Sequence, residues 1–223
     1  MMGVTMRARG TLPVVMRVAV ALIGLAIAFR PPAPAQVIEF ESSGLKYKAL
    51  TRGGLTIMVA QLPTVIRQYS ILQVAVSNGS PISWTVKPED FKFQPDAAPP
   101  IQASPAKTVI GNLLEKAGRT DVSRLIAAYE AALYSNAQMH STNGYEARRQ
   151  NAMAEFGSTR LRAAAAASAI AFVTTKLAPG QSTDGAIFCP NAGKPLGSGR
   201  LLVNAGGEAF EFPLAGVAPH AGH

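Results

Sequence analysis

The segment Tyr69-Ser-Ile-Leu-Gln-Val-Ala-Val76 carries the pattern from which the type of fold can be predicted. Its apolar residues Leu72, Val74 and Val76 occupy every second position, and a strand places such residues on one face. The segment Asn78-Gly-Ser-Pro81 follows closely and is rich in residues that favour tight turns. Together the two segments predict a strand that ends in a turn.

Similar short apolar segments occur on both sides of this strand, about ten residues apart. They are residues 46–50, 55–62 (closed by Pro63), 82–86, 91–93, 185–189, 201–203 and 209–212. Residues 176–180, 190–195 and 197–199 have the composition of turns and loops. Short strands joined by such turns predict an antiparallel sandwich rather than a parallel α/β sheet.

In the middle of the chain, apolar residues recur with the spacing of helices instead of strands. Residues 95–106 are rich in proline and alanine and predict a linker. Three helices are predicted after it, the third over residues 145–172 with a kink or break at Gly157-Ser158. The first two have apolar stripes formed by Val109, Ile110, Leu113, Leu114 and Ala117, and by Val122, Leu125, Ile126, Tyr129 and Leu133.

Neither set of strands is large enough to form a stable sheet of its own. We therefore predict a mainly β (α+β) fold, an immunoglobulin-like antiparallel β-sandwich interrupted by a three-helix insertion. Residues 36–94 and 173–214 would be the two halves of the sandwich. Residues 95–172 would be the linker and insertion, and residues 215–223 a flexible tail.

The first 35 residues have the three parts of a secretory signal peptide. A basic start with Arg7, Arg9 and Arg17 precedes the uncharged apolar residues 18–29, and small residues end the segment. Cleavage is expected before Gln36, with Sec-type export to the periplasm or the extracellular space. Because Arg30 directly follows the apolar run, an uncleaved membrane anchor is the alternative, and only then would the protein contact a membrane through this segment.

The net charge of +8 depends in part on this segment, since four of the 21 basic residues lie in it. The mature chain would be near +4, which gives little support to nucleic-acid binding. With 48% hydrophobic and 15% charged residues, the composition excludes a disordered chain. The single cysteine, Cys189, cannot form an internal disulfide. We interpret it as a buried small side chain, with a nucleophile or an intermolecular bridge as alternatives.

Three segments together resemble a known group of domains. They are Leu72-Gln-Val-Ala-Val-Ser-Asn-Gly-Ser80, then Leu177-Ala-Pro-Gly-Gln-Ser182 with Gly185-Ala-Ile-Phe188, and finally Phe210-Glu-Phe212. They are similar to segments of uncharacterised bacterial exported immunoglobulin-like domains, and the resemblance covers residues 46–93 and 173–214. It implies the fold, an envelope location and no catalysis. The helical insertion lies outside it.

No nucleotide-binding, zinc-protease, nucleophile-elbow or Cys-x-x-Cys motif is present, and we predict no cofactor and no metal. Gly197-Ser-Gly199 with Arg200 could bind an anion, but we interpret it as a hairpin loop. The pair Glu89-Asp90 could act on a sugar or bind Ca²⁺, although one pair supplies few oxygens. His140, near Asn136 and Gln138, could be a ligand or an exposed loop residue.

The strongest candidate surface is a group of arginines in the third predicted helix, Arg148, Arg149, Arg160 and Arg162. They could contact another envelope protein or an anionic surface, or they could simply face solvent. Aromatic residues do not alternate with these charges, so nucleic acid is not the expected partner.

We therefore expect a non-catalytic binding or structural module of the cell envelope, with the helical insertion as its interaction surface. One alternative is an envelope enzyme or enzyme accessory that uses Glu89, Asp90 and His140 between the insertion and the sandwich. The other is a membrane-anchored subunit of an envelope complex.

Overall fold

The computed structural model describes residues 36–42, 44–135, 144–154 and 158–216. These residues form mostly antiparallel β sheets together with four helices, which agrees with an α+β fold class. The predicted signal peptide (1–35) lies outside the described residues, as does most of the predicted tail (217–223). No helix among the described residues is both long enough and apolar enough to cross a membrane.

The strands are short and numerous. They are β1 (Ile38–Ser42), β2 (Leu45–Arg52), β3 (Leu55–Ile66), β4 (Tyr69–Asn78), β5 (Trp84–Val86), β6 (Phe91–Pro95), β7 (Ile101–Gln102), β8 (Thr175–Leu177), β9 (Ser182–Pro190), β10 (Gly199–Ala205) and β11 (Glu208–Leu214). The helices are α1 (Ala106–Lys116), α2 (Arg119–Ser135), α3 (Tyr145–Ala154) and α4 (Thr159–Ile170). A single 3-10 turn (Pro88–Asp90) precedes β6.

Strands from both ends of the chain pair with each other. The five-stranded sheet has the order β1-β2-β3-β4-β9, and Gln73 of β4 is opposite Ala186 of β9. The four-stranded sheet has the order β11-β10-β6-β7, and Phe93 of β6 is opposite Leu201 of β10. A third, two-stranded sheet joins β5 to β8. Early and late strands therefore belong to the same sheets, with the helices between them in sequence.

The five-stranded sheet is buried on both of its faces. On one face, Leu72, Val74 and Val76 share a hydrophobic cluster with residues of the four-stranded sheet such as Phe93 and Phe212. On the other face, Ile71, Ala186 and Phe188 share a second cluster with the helices. Burying an apolar side chain of this size contributes roughly 1.5–3 kcal/mol, so both clusters stabilise the five-stranded sheet. Because it has a cluster on each face, we call it the middle sheet.

Several predicted boundaries are wrong. Pro63 does not end β3, which continues to Ile66 after a register shift between Gln61 and Val65. A proline is tolerated at such an irregularity because its missing N–H is not needed there. The predicted strand 82–86 begins only at Trp84, since Ile82 is 56% exposed.

Other differences concern short elements at sheet edges. The predicted linker 95–106 contains β7, and the predicted turn 176–180 begins with residues of β8. Strand β1 was not expected at all. The break expected at Gly157-Ser158 divides the predicted third helix into α3 and α4, so the described residues contain four helices where three were predicted. The alternation of apolar and polar residues indicates strands of two to five residues, such as β1, β7 and β8, only weakly, because they contain at most one or two repeats.

Candidate functional site

The four helices α1–α4, which we call the helical layer, leave depressions beside α4. This helix contacts α1, α2 and α3, and its inner face consists mainly of buried alanines. Alanine side chains let neighbouring helices approach closely, because interaxial distance depends on the side chains at the contact. Depressions remain where larger side chains of the neighbouring helices rise above the alanines.

The first depression lies between α1, α3 and α4 and has a volume of about 480 Å³. We call it the apolar groove. Its walls include Ile110 and Leu114 of α1, Leu161 and Ala165 of α4, and Arg148 of α3. Its size lies within the range typical of small-molecule sites.

The second depression, of about 400 Å³, lies where α4 ends and the chain passes towards β8 and β9. We call it the hydroxyl groove, because Ser168, Thr175, Ser182 and Thr183 contribute to its walls. Arg148 also contributes to it. Arg148 and Ser168 therefore belong to both grooves, which are adjacent.

Arg148 is held in place by the end of α4. Its Nη2 donates a hydrogen bond to the carbonyl oxygen of Ala169 at 3.0 Å. Carbonyls in the last turn of a helix lack partners within the helix and carry partial negative charge, so a guanidinium is favourable there. One such bond occupies one of the five N–H donors of the guanidinium.

The four predicted arginines do not share one location. Arg149 forms an ion pair with Glu130 of α2, with Nη1 and Oε1 2.6 Å apart. Arg160 and Arg162 are exposed in the first turns of α4. The Cα atoms of Arg160 and Ala169 are nine residues apart, roughly 14 Å along the helix. The α3 arginines therefore connect helices, while the α4 arginines lie at the opposite end of α4, and a shared partner surface stays a prediction.

Exposed apolar side chains accompany the two grooves. In the part of the chain that the structure describes, five large hydrophobic side chains are exposed. Leu114 (38% exposed) and Leu161 (40%) line the apolar groove, and Val173 (53%) lines the hydroxyl groove. The sequence placed Leu114 in the buried stripe of its helix and did not single out Leu161. Both lie at the wall of the apolar groove, where much of the remaining lining from α4 consists of alanines.

A buried polar pair connects the helices with the middle sheet, and the sequence did not reveal it. The Tyr129 hydroxyl donates to Oδ2 of Asp184 at 2.6 Å, and Asp184 is 2% exposed. Burial raises the pKa of Tyr129, and the negative charge of Asp184 raises it further. The Tyr129 hydroxyl therefore remains a donor at neutral pH. Neither residue lines either of the two grooves, so the pair is better explained as a link between layers.

Gln73 is a third polar residue at the interface between the helices and the middle sheet, and it is fully buried. Neither its Oε1 nor its Nε2 makes a hydrogen bond of standard geometry, although the amide is close enough to Tyr129 to offset part of its pKa rise. A fully buried amide without such bonds costs about 1–3 kcal/mol. Its position opposite Ala186 places it within the interface and not at its surface.

The acidic pair Glu89-Asp90, predicted as a possible site, lies in a turn that Asp90 stabilises. Oδ2 of Asp90 accepts a hydrogen bond from the backbone N–H of Lys87 at 2.8 Å, which closes the 3-10 turn. Burial raises the pKa of Asp90. Glu89 is exposed, and its carbonyl oxygen accepts from Nε2 of Gln102. His140 lies outside the described residues, as do Asn136 and Gln138, so the structure does not place the third predicted member of this site.

The remaining candidates have structural partners. Arg200 forms an ion pair with Glu211 across the β10–β11 hairpin, 3.0 Å from Nη1 to Oε1. Cys189 is 1% exposed in the hydrophobic cluster to which both larger sheets contribute. Burial raises the pKa of the Cys189 thiol to about 12. A protonated, inaccessible thiol fits a core side chain better than a nucleophile or an intermolecular bridge.

The fold and its surface define an α+β protein that has antiparallel sheets and two adjacent grooves, one among the helices and one where α4 leads to β8 and β9. Among the residues described, no group of three His, Cys, Asp or Glu side chains is placed to hold a metal ion. No known protein family, curated protein or solved structure matches this chain.

Proposed function

We propose that the protein is an exported, non-catalytic binding or structural module of the cell envelope whose helical layer carries the interaction surface. One observation carries this proposal. Three of the five exposed large hydrophobic side chains among the described residues line two adjacent grooves that share Arg148. Exposed apolar side chains concentrated in a concave surface are typical of binding sites.

The proposed architecture is an immunoglobulin-like β-sandwich interrupted by a helical insertion. In support of it, the two larger sheets contribute to one hydrophobic cluster, and the helices occur in sequence between β7 and β8. In this arrangement the sheets are the scaffold. The helices cover the face of the middle sheet that does not contact the four-stranded sheet.

Export and envelope location rest on the sequence of residues 1–35, with its basic start, apolar run and small residues before Gln36. The proposed absence of catalysis rests on the partners of the chemically capable groups. Asp90 closes a turn, Cys189 is buried in the core, and Asp184 binds Tyr129 between two layers.

The interaction surface can be located without knowing the partner. The purified protein would be incubated with a solubilised envelope extract, and its amide hydrogen exchange would be compared with that of the free protein. We expect slower exchange in α1, α3 and α4 and in residues 171–183, which line the grooves, and unchanged exchange in β10 and β11, which contribute no lining residue.

A matched pair of variants gives the control. Leu161→Asp places a charge in the apolar groove, whereas Ile82→Asp places the same charge at an exposed site away from both grooves. The first should abolish the slower exchange and the second should preserve it. Slower exchange confined to β10 and β11, or no change anywhere, would refute the proposed surface.

A further inference from the structure

We infer that the apolar groove and the hydroxyl groove form one binding site for an amphiphilic anion, an alkyl chain with a carboxylate or phosphate headgroup. This inference rests on the proposed binding function and adds the class of ligand. The alkyl chain would lie in the apolar groove, its acidic group would contact Arg148, and further headgroup oxygens would face the hydroxyl groove.

The order of the chemical groups along α4 matches such a ligand. Leu161 and Ala165 line the apolar groove, and Ser168 lies where the two grooves meet. Seven residues separate Leu161 from Ser168, roughly 10 Å along the helix axis. An apolar path of that length, ending at one cation and several hydroxyls, fits a medium-length alkyl chain with a polar end.

The positive charge of Arg148 favours a ligand of negative charge. Arg148 is the one charged side chain among the described residues that line the two grooves. Its guanidinium can donate two parallel hydrogen bonds to a carboxylate or phosphate, and such charge-assisted bonds are among the strongest in proteins. A cationic ligand would be repelled, and a neutral ligand would supply no negative charge to this guanidinium.

The geometry of Arg148 also favours binding. The hydrogen bond from Nη2 to the carbonyl oxygen of Ala169 orients the guanidinium before any ligand arrives. A side chain that is already oriented loses less conformational entropy on binding. The apolar groove contributes in a second way, since a bound chain would cover the exposed parts of Leu114 and Leu161.

Isothermal titration calorimetry on the full chain tests the inference with four probes. Decanoate and decyl phosphate contain both the chain and the acid, decanol lacks the charge, and inorganic phosphate lacks the chain. We expect saturable one-to-one binding of the first two. Decyl phosphate should bind more tightly, because its additional oxygens reach the hydroxyl groove. Decanol and inorganic phosphate should bind at least about tenfold more weakly, the cost of a lost charge-assisted bond or a lost apolar contact.

Three variants identify the site. Arg148→Gln should weaken decanoate binding at least about tenfold, whereas Arg160→Gln, at the other end of α4, should change it less than about twofold. Ala165→Leu keeps Arg148 but fills the apolar groove, and it should also weaken decanoate at least about tenfold. Since Arg148→Gln removes a contact at the end of α4, the Ala165→Leu result decides the question if Arg148→Gln fails to fold.

The outcomes separate the two proposals. Equal binding of decanol and decanoate, equal losses in Arg148→Gln and Arg160→Gln, or no saturable binding of either acid would overturn the assignment of an amphiphilic anion. If the helices are nevertheless protected in envelope extract, the binding function stands and only the ligand class is wrong. If neither the purified acids nor the extract has an effect on the helices, both proposals fail.

Discussion

Single residues around Trp84 show how the turn after β4 is held. The Asn78 side chain is fully buried, donates to the carbonyl oxygens of Ile82 and Leu177, and accepts from Ser80. The Trp84 indole N–H donates to Oγ of Ser80 at 2.6 Å. The segment Asn78-Gly-Ser80 therefore has a structural role, since its polar side chains join β4 to β5 and β8.

The same indole packs against Gly206 in the β10–β11 turn, and this contact yields a prediction. Gly206 has a φ of +61°, and a Cβ atom there would lie 1.7 Å from Cε3 of Trp84. We expect Gly206→Ala to lower the free energy of unfolding by about 2–4 kcal/mol, the sum of left-handed strain and overpacking. Urea denaturation measures it.

Gly207→Ala is the matched control. Gly207 has a φ of +81°, but a Cβ atom there would meet nothing within 4 Å. Only the backbone strain should remain, about 1 kcal/mol. Equal losses in the two variants would show that Trp84 does not pack against Gly206.

Cys189 predicts a dependence of stability on pH. Its thiol has a pKa of about 12 in the folded protein against an ordinary value of 9.0, because it is buried. The unfolded thiol ionises first, so the stability that this group contributes is complete below pH 9 and is lost as the pH rises towards 12.

Between pH 8 and pH 10, the wild-type protein should lose about 1 kcal/mol more unfolding free energy than Cys189→Ala. Both proteins contain the same tyrosines and lysines, whose titration cancels in the comparison. Parallel pH profiles from urea denaturation at several pH values would contradict the buried position of this thiol.

At the scale of elements, α3 contacts its neighbours through one buried aromatic ring and two arginines. Tyr145 is the buried side chain among those of α3 that the structure describes. Its ring packs against that of Tyr129, with centroids 4.9 Å apart. Arg148 and Arg149 add contacts to α4 and α2 respectively. These polar contacts therefore contribute to the position of the helix.

A double-mutant cycle measures the coupling free energy of one of these contacts, the ion pair between Arg149 and Glu130. Arg149 and Glu130 are 34% and 26% exposed, so solvent screens their ion pair only in part. We expect a coupling free energy of about 1 kcal/mol from Arg149→Ala, Glu130→Ala and the double variant. The exposed pair Arg200–Glu211, at 55% and 52%, should give less than about 0.5 kcal/mol. Equal couplings would mean that α3 is not held by this pair.

At the scale of the whole molecule, two tyrosine hydroxyls join the helical layer to the middle sheet. Tyr129 of α2 donates to Asp184 of β9. Tyr47 of β2 donates to the carbonyl oxygen of Ala132 in α2 at 2.9 Å. One bond therefore runs from helix to sheet and the other from sheet to helix, and both fix the position of α2 on the sheet.

The two bonds should differ in strength, because Asp184 is charged and the Ala132 carbonyl is neutral. Tyr129→Phe should lower the unfolding free energy by about 2–3 kcal/mol and Tyr47→Phe by about 1 kcal/mol. Circular dichroism and tryptophan fluorescence would follow unfolding in urea. Equal losses, or a greater loss for Tyr47→Phe, would show that the charge of Asp184 does not strengthen its bond.

Much of the secondary structure could be predicted because its signals are local. The alternation of Leu72, Val74 and Val76 identified β4, and the stripe that includes Val109 and Leu113 identified α1. Two-residue strands such as β7 contain no complete repeat and could not be recognised. The exposure of Leu114 could not be predicted either, since it depends on the position of this side chain at the wall of the apolar groove.

The sequence by itself determined most of the longer strands and the helices, because side-chain period depends only on neighbours along the chain. Tertiary structure alone decided that Leu114, Arg148 and Leu161 line one groove, since packing of α1, α3 and α4 brings together residues up to about fifty positions apart. It also decided that Tyr129 meets Asp184. Long-range contacts depend on how layers pack, and a local pattern contains no information about which residues will face each other.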